Sequence, residues 1–281
     1  MRTRATVAAV VGALAFSALG MPAAQAAGST ATSGEPYTLN VSFSNSKVAK
    51  SIKVGIGAKV STAVSFTLTH GSDVDITAED FFAEPFLYRG TFGDDDTPQL
   101  FGDDFATCKV ATSTTANCKG TIAIHPGDDL LNSQAGTWKA GADAIAFNGQ
   151  DPSDDTSDYS KIGYKEQGGL ASTLVQRISK LTVNAGPEPV TKGRTVTATG
   201  RLTRADWQSH SYKAFAKQPV KLQFRKAGTS TYTTVRTVYS DASGNVKATG
   251  TAKYDGYWRF GYAGVSTTAP VNATGDYVDV K

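Results

Sequence analysis

The side chains best suited to chemistry in this sequence are aspartates, and they come in runs. Asp94, Asp95 and Asp96 stand with Asp103 and Asp104, Asp128 stands with Asp129, and Asp151 with Asp154, Asp155 and Asp158. Clustered carboxylates are the hard oxygen ligands that calcium prefers. Asp94, Asp95, Asp96, Asp103 and Asp104 are therefore the candidate metal set, and calcium is the one cofactor the sequence suggests. No EF-hand frame fits, because a frame begun at Asp151 puts Thr156 where the turn glycine belongs and Ile162 where the bidentate glutamate belongs. The competing reading is a solvated acidic surface.

A second grouping is basic and aromatic. Trp207, Tyr212, Lys213, Lys217, Lys221 and Arg225 combine cations with ring faces, a mixture able to contact an anionic polymer. The competing reading is core aromatics beneath an ordinary basic face. Hydrolytic machinery has no motif here: there is neither a G-x-S-x-G elbow nor an H-E-x-x-H pair. The three histidines, His70, His125 and His210, read as loop residues. A non-enzymatic protein is expected.

These groups need elements to position them, and the chain's first residues say where it works. Arg2 and Arg4, an apolar run from Val7 to Gly20, and small residues at Ala24 and Ala26 make residues 1–26 a secretory signal peptide cleaved before Ala27. The run is shorter than a membrane-spanning helix needs, and no second long apolar stretch follows. The mature chain is expected to be secreted, extracellular and without a membrane span. Two cysteines in an exported protein, Cys108 and Cys118, point to a disulfide closing a polar turn.

Residues 27–36 form a polar leader expected to be disordered. Charge then divides what remains. Residues 27–175 hold 19 Asp and Glu against 10 Lys and Arg, whereas residues 176–281 hold 6 against 16. An acidic domain over 37–175 and a basic domain over 176–281 are expected. Ile52, Val54, Ile56, Ala58 and Val60 alternate with polar residues or glycine, as do Val64, Phe66 and Leu68, so both stretches predict half-buried strands. Cys118, Ile122 and Ile124 share a face, and Trp138 to Phe147 is expected to hold a further pair of strands. Ile76 to Asp104 fits no clean period and predicts a long irregular excursion carrying at most a short strand or helical turn. In the basic half, strands at Ile178–Ala185 and around Val196, Val220, Thr231–Tyr239, Val246 and Trp258 recur at sandwich spacing.

Leu181-Thr182-Val183-Asn184-Ala185, Pro187-Glu188-Pro189-Val190, Gly200-Arg201-Leu202-Thr203, Val220-Lys221-Leu222-Gln223-Phe224 and Gly275-Asp276-Tyr277-Val278-Asp279-Val280 resemble the immunoglobulin-like domains of small exported proteins of Streptomyces and related actinobacteria. The resemblance covers Leu181 to Lys281 well and the acidic half loosely. It implies a fold and an export route, and it carries no functional residues.

The whole sequence thus predicts an all-β protein of two tandem immunoglobulin-like β-sandwich domains behind a signal peptide. It is expected to act as a binding or structural module, with the basic domain contacting an anionic cell-envelope polymer or another exported protein. Nucleic acid is disfavoured by the export route. The rivals are a calcium-binding exported protein and, third, a secreted enzyme or enzyme inhibitor.

Overall fold

A computed structural model describes residues 34–154 and 156–281. The signal peptide, most of the leader and Asp155 lie outside the described residues. The regular elements are strands, with two short 3₁₀ turns between them. In chain order they are β1 (Tyr37–Thr38), β2 (Val41–Val48), β3 (Ser51–Val54), β4 (Val60–His70), β5 (Phe81–Tyr88), β6 (Gln99–Leu100), β7 (Thr107–Val110), β8 (Thr115–Ile124), β9 (Gly136–Ala146) and β10 (Gly163–Arg177). There follow β11 (Ser179–Leu181), β12 (Asn184–Gly186), β13 (Thr195–Asp206), β14 (Ser211–Ala214), β15 (Pro219–Lys226), β16 (Thr233–Tyr239), β17 (Asn245–Thr251), β18 (Gly256–Tyr262), β19 (Val271–Asn272) and β20 (Asp276–Val278). No helix among the described residues is long and apolar enough to cross a membrane.

The chain forms two compact units. Of the described residues, unit 1 comprises 34–50, Ser61–Ala123 and Trp138–Thr173; unit 2 comprises Ser51–Val60, Ile124–Thr137 and Leu174–Lys281.

In unit 1 the strands β2, β4, β8 and β7 form one sheet in that order, and β1, β10, β9, β5 and β6 form another. Period two drives their meeting. Val41 and Phe43, Phe66 and Leu68, and Ala116 and Cys118 face Phe81, Ala83 and the small residues Ala142, Ala144 and Ala146 in one core. Cys108 and Cys118 are directly opposed across β7 and β8 and are joined as a disulfide.

Three stretches differ from the sequence reading. β3 ends at Val54, where Gly55 and Gly57 interrupt the ladder, so Ile56 and Ala58 do not continue the buried row. Trp138 to Ala146 lies within one long strand instead of two. The stretch expected to be irregular contains β5, an eight-residue strand between β9 and β6. Its period is hidden because both faces are covered: Phe81 and Ala83 enter the core, while Phe82, Phe86 and Tyr88 pack under Phe105, Phe101 and Phe92. Pro85 is tolerated because β6 reaches only Leu87 and Tyr88.

Unit 2 is a two-sheet sandwich. β13 is the hub of one sheet, paired antiparallel with β11, β12, β14 and β17, and β16, β15, β18 and β19 form the other, with β20 also on β18. Val196, Ala198, Leu202, Val246 and Ala248 of the first sheet pack on Val220, Leu222, Trp258, Phe260 and Tyr262 of the second. This packing of two five-stranded antiparallel sheets is immunoglobulin-like. Gly200 belongs to the row of inward residues on β13, yet a Cβ there would lie 2.1 Å from the Thr182 carbonyl oxygen. The chain between β11 and β12 passes that close only because position 200 has no side chain. β3 completes unit 2 by pairing in parallel with residues Leu174 to Arg177 of β10.

Candidate functional site

Alternation within β15 and β18 builds the surface with the strongest chemical character. Where Val220, Leu222, Trp258 and Phe260 enter the core, their neighbours Lys221, Gln223, Arg225, Tyr257 and Arg259 turn outward. Register sets Gln223 beside Arg259, Arg225 beside Tyr257, and Tyr257 beside Tyr277 of β20. Tyr232, just before β16, leans over both arginines: its ring centre is 3.7 Å from the guanidinium carbon of Arg259 and 5.3 Å from that of Arg225. Arg225 lies 4.1 Å from the centre of the Tyr257 ring, which meets Tyr277 edge-on at 5.2 Å. The result is a continuous row running Tyr277, Tyr257, Arg225, Tyr232, Arg259. Cation–π pairs normally occur about once per 70–80 residues, so four between Arg225 and Arg259, counting Lys226 on Tyr254, mark a concentrated feature.

The electrostatics of the row are one-sided. Neither guanidinium reaches a carboxylate at ion-pair distance among the described residues. Arg259 Nε donates to Gln223 Oε1 at 2.8 Å, and an Arg225 terminal nitrogen donates to the Thr229 carbonyl. Each arginine is held by one such bond, and among the described residues no other acceptor is bonded to either guanidinium. A guanidinium beside aromatic rings keeps a fork of in-plane donors, which suits bidentate capture of a carboxylate or phosphate. At the other end the Tyr277 hydroxyl is held above its ordinary range by desolvation and then by Asp255 and Asp279. An anion is therefore favoured toward Arg225 and Arg259.

The sequence-predicted binding residues divide. Lys221 and Arg225 lie on this face. Trp207 is wholly buried in unit 2, its Nε1 donating to the Val54 carbonyl at 3.2 Å, and offers no surface to a ligand. Tyr212 and Lys213 lie on β14 in the other sheet, where the Lys180 ammonium sits 3.9 Å from the Tyr212 ring centre. Lys217 occupies a left-handed turn with φ 57°, its amide bonded to the Ser240 carbonyl. Sequence reasoning missed Tyr257, Arg259 and Tyr277. The signal existed in Tyr257-Trp258-Arg259-Phe260, whose alternation turns the tyrosine and arginine away from the core.

Five aspartates shape turns. Asp75, Asp151, Asp154, Asp158 and Asp241 each accept the backbone N–H of the residue two positions on, in each case a serine or threonine. In the first four the hydroxyl of that residue donates as well. These bonds hold the carboxyls of the first four below the usual range, and that of Asp241 is lowered first by the backbone N–H of Asn245. In the candidate metal set, Asp94 accepts the Asp96 N–H at 3.2 Å. Among the described residues no group of three or more His, Cys, Asp or Glu is arranged to hold a metal ion; Asp94, Asp95 and Asp96 lie between β5 and β6, and Asp103 and Asp104 between β6 and β7.

Unit 1 buries other carboxylates. Glu84 of β5 and Asp143 of β9 are opposed, and Glu166 and Tyr164 come from β10 alongside. Asp143 is only 5% exposed. Burial, then the charges of Glu84 and Glu166, lift its carboxyl well above its ordinary range. Burial pushes Glu84 up to about 7 and raises Glu166, the latter opposed by a hydrogen bond from Gln99. The Tyr164 hydroxyl is raised by burial and by all three acids.

No family model matches the sequence, and no curated protein matches it. Among solved structures, the chain is similar to the D0-D1 domain of Intimin at 14% identity, covering 84% of this chain and 98% of that one, with a TM-score of 0.26. It is similar to FdeC, an Escherichia coli adhesin, at 15% identity over 86% of this chain and 65% of that one, with a TM-score of 0.28. The T6 backbone pilin of Streptococcus pyogenes gives 10% identity, 85% and 52% coverage, and a TM-score of 0.23. At such TM-scores the likeness carries no weight, and the all-β, immunoglobulin-like sandwich rests on the strand pairing above.

Proposed function

We propose that this chain is an exported, non-enzymatic binding protein that holds an anionic polymer on the arginine and tyrosine face of unit 2. The observation that carries this reading is the row Tyr257, Arg225, Tyr232, Arg259, with both guanidiniums over tyrosine rings and, among the described residues, neither at ion-pair distance from a carboxylate. The rings offer flat apolar contact, the guanidiniums offer directed donors, and the unit around them is basic. Counted over its three segments, unit 2 holds 18 Lys and Arg against 8 Asp and Glu. The disulfide supports an oxidising compartment, and residues 1–26 are read as the export signal. For an exported protein the fitting polymer is a phosphate- or carboxylate-bearing component of the cell envelope, and the chain is read as two tandem sandwich domains displayed to it.

The test is retention of the mature chain on purified cell-wall fractions at two salt concentrations, beside the double variant Arg225→Gln/Arg259→Gln. The screening length shrinks from about 8 Å at physiological salt to about 3 Å at 1 M, so binding should fall steeply with salt. Each charge-assisted hydrogen bond contributes about 1.5–3 kcal/mol, so the double variant should bind at least about tenfold more weakly. Equal retention of variant and parent would refute the assignment of this face.

A further inference from the structure

The acidic unit contains a hollow with the opposite charge. Counted from Gly34, unit 1 carries 17 Asp and Glu against eight Lys and Arg. Yet a groove of about 540 Å³ across β2, β4, β8 and β7 is lined by three of those eight cations, Lys47, Lys109 and Lys119, and by no carboxylate. Register explains the gathering. Thr107 opposes Lys119 and Lys109 opposes Asn117, so the two lysines are diagonal neighbours on the sheet face turned away from the core, a spacing of about 7–8 Å. Lys47 opposes Ser65 on the same face, beside an irregularity in the β2 and β4 pairing where Asn45 takes φ 52°. All three lysines are exposed, and none is ion-paired among the described residues.

Like charges on adjacent strands repel, and in a unit so rich in carboxylates each had abundant candidates for a partner. The groove keeps its positive charge instead. Around the ammoniums stand Ser65, Thr67, Thr107 and Asn117, and Val110, 59% exposed, gives an apolar edge. Ammonium groups are compact charges with rotatable donors, which suits a sulfate, phosphate or carboxylate without requiring a fixed plane. We infer that this groove binds an anionic saccharide, with its acidic group among Lys47, Lys109 and Lys119 and its hydroxyls on the neighbouring Ser, Thr and Asn side chains. This site is separate from the unit 2 face and does not depend on it.

The experiment is calorimetric titration of the full mature chain with two probes, a short heparin oligosaccharide for sulfate and an oligogalacturonate for carboxylate. Arg225→Gln/Arg259→Gln silences the unit 2 face, and Lys47→Gln/Lys109→Gln/Lys119→Gln silences the groove. With the arginines replaced, binding of at least one probe should persist, and adding the lysine substitutions should weaken it about tenfold or more. The amide resonances of Thr67, Asn117 and Lys119 in the parent protein should shift as that probe is added, a readout that needs no variant. The inference is overturned if the arginine variant binds neither probe, if the lysine substitutions leave the remaining affinity unchanged, or if those resonances stay fixed. Binding that survives the arginine changes in full but vanishes with the lysine changes would sink the unit 2 reading and leave the groove standing.

Discussion

The contribution of Glu84 to the stability of unit 1 runs with pH in the direction opposite to that of a carboxylate held below its ordinary range. Its folded carboxyl titrates at about 7 against an ordinary 4.5, so between those values the folded chain holds a proton that the unfolded chain has released. Stability is then complete below about pH 4.5 and falls by about 1.4 kcal/mol per pH unit until Glu84 ionises near 7. The accumulated loss is about 3 kcal/mol for this one group. Asp143 and Glu166, also raised, steepen the slope in the same direction. Glu84→Gln keeps the shape of the protonated acid and removes its titration. The variant should match the parent near pH 4 and exceed it by about 3 kcal/mol at pH 8. Urea unfolding from pH 4 to pH 8, followed by fluorescence and circular dichroism, measures this, with Trp138 the tryptophan of unit 1. A parent whose stability is flat over that range, or a Glu84→Gln protein with the parent's slope, would refute the reasoning.

Three further outcomes are expected. Replacing Cys108 and Cys118 with alanine should lower unfolding free energy by about 3 kcal/mol on loop-closure entropy, and a denaturation midpoint equal to that of the oxidised parent would contradict it. Millimolar calcium, compared with chelator, should leave the melting midpoint unchanged, since a bound ion at a hundredfold excess over its dissociation constant would add about 2.7 kcal/mol; a clear rise would instead support Asp94, Asp95, Asp96, Asp103 and Asp104 as ligands. Trp207→Phe should destabilise by about 2–3 kcal/mol, because it strands the Val54 carbonyl and leaves unfilled volume in a wholly buried site; calorimetry showing less than a few tenths of that would count against the packing described.

What could be read from the sequence follows from how many faces each strand buries. β13, β15, β17 and β18 bury one face and expose the other, so period two shows through, and their residues fell where alternation put them. β5 buries both faces, one of them under aromatics from the following loop, and no alternation survives. The outward turn of Tyr257 and Arg259 was legible. Their partnership with Tyr232 was not, because it depends on register between strands. Asp143 carried a signal that went unused: a single acid among Ala140, Gly141, Ala142, Ala144 and Ile145 is out of keeping with a solvated face. Spacing alone cannot separate a metal set from successive turn acceptors; for Asp75, Asp151, Asp154 and Asp158 the serine or threonine two places on marks the turn.

The makeup of unit 2 has a consequence for how the protein is made. Its Trp207 indole bonds to a carbonyl 153 residues earlier, and the His210 ring to one 154 residues earlier. During synthesis Ile52 and Val54 therefore emerge long before the residues that cover them, as a short apolar strand with an unfilled edge. Contacts so distant in sequence slow folding, and an open strand edge invites pairing with other chains. A nascent chain of this kind gains from being held unfolded until its last third has been translated, and passage across a membrane as an unfolded thread would impose that delay. A fragment beginning at residue 176 would also lack the β3 ladder and the Val54 and Ile56 carbonyls, and would expose the Trp207 site instead of isolating a finished domain.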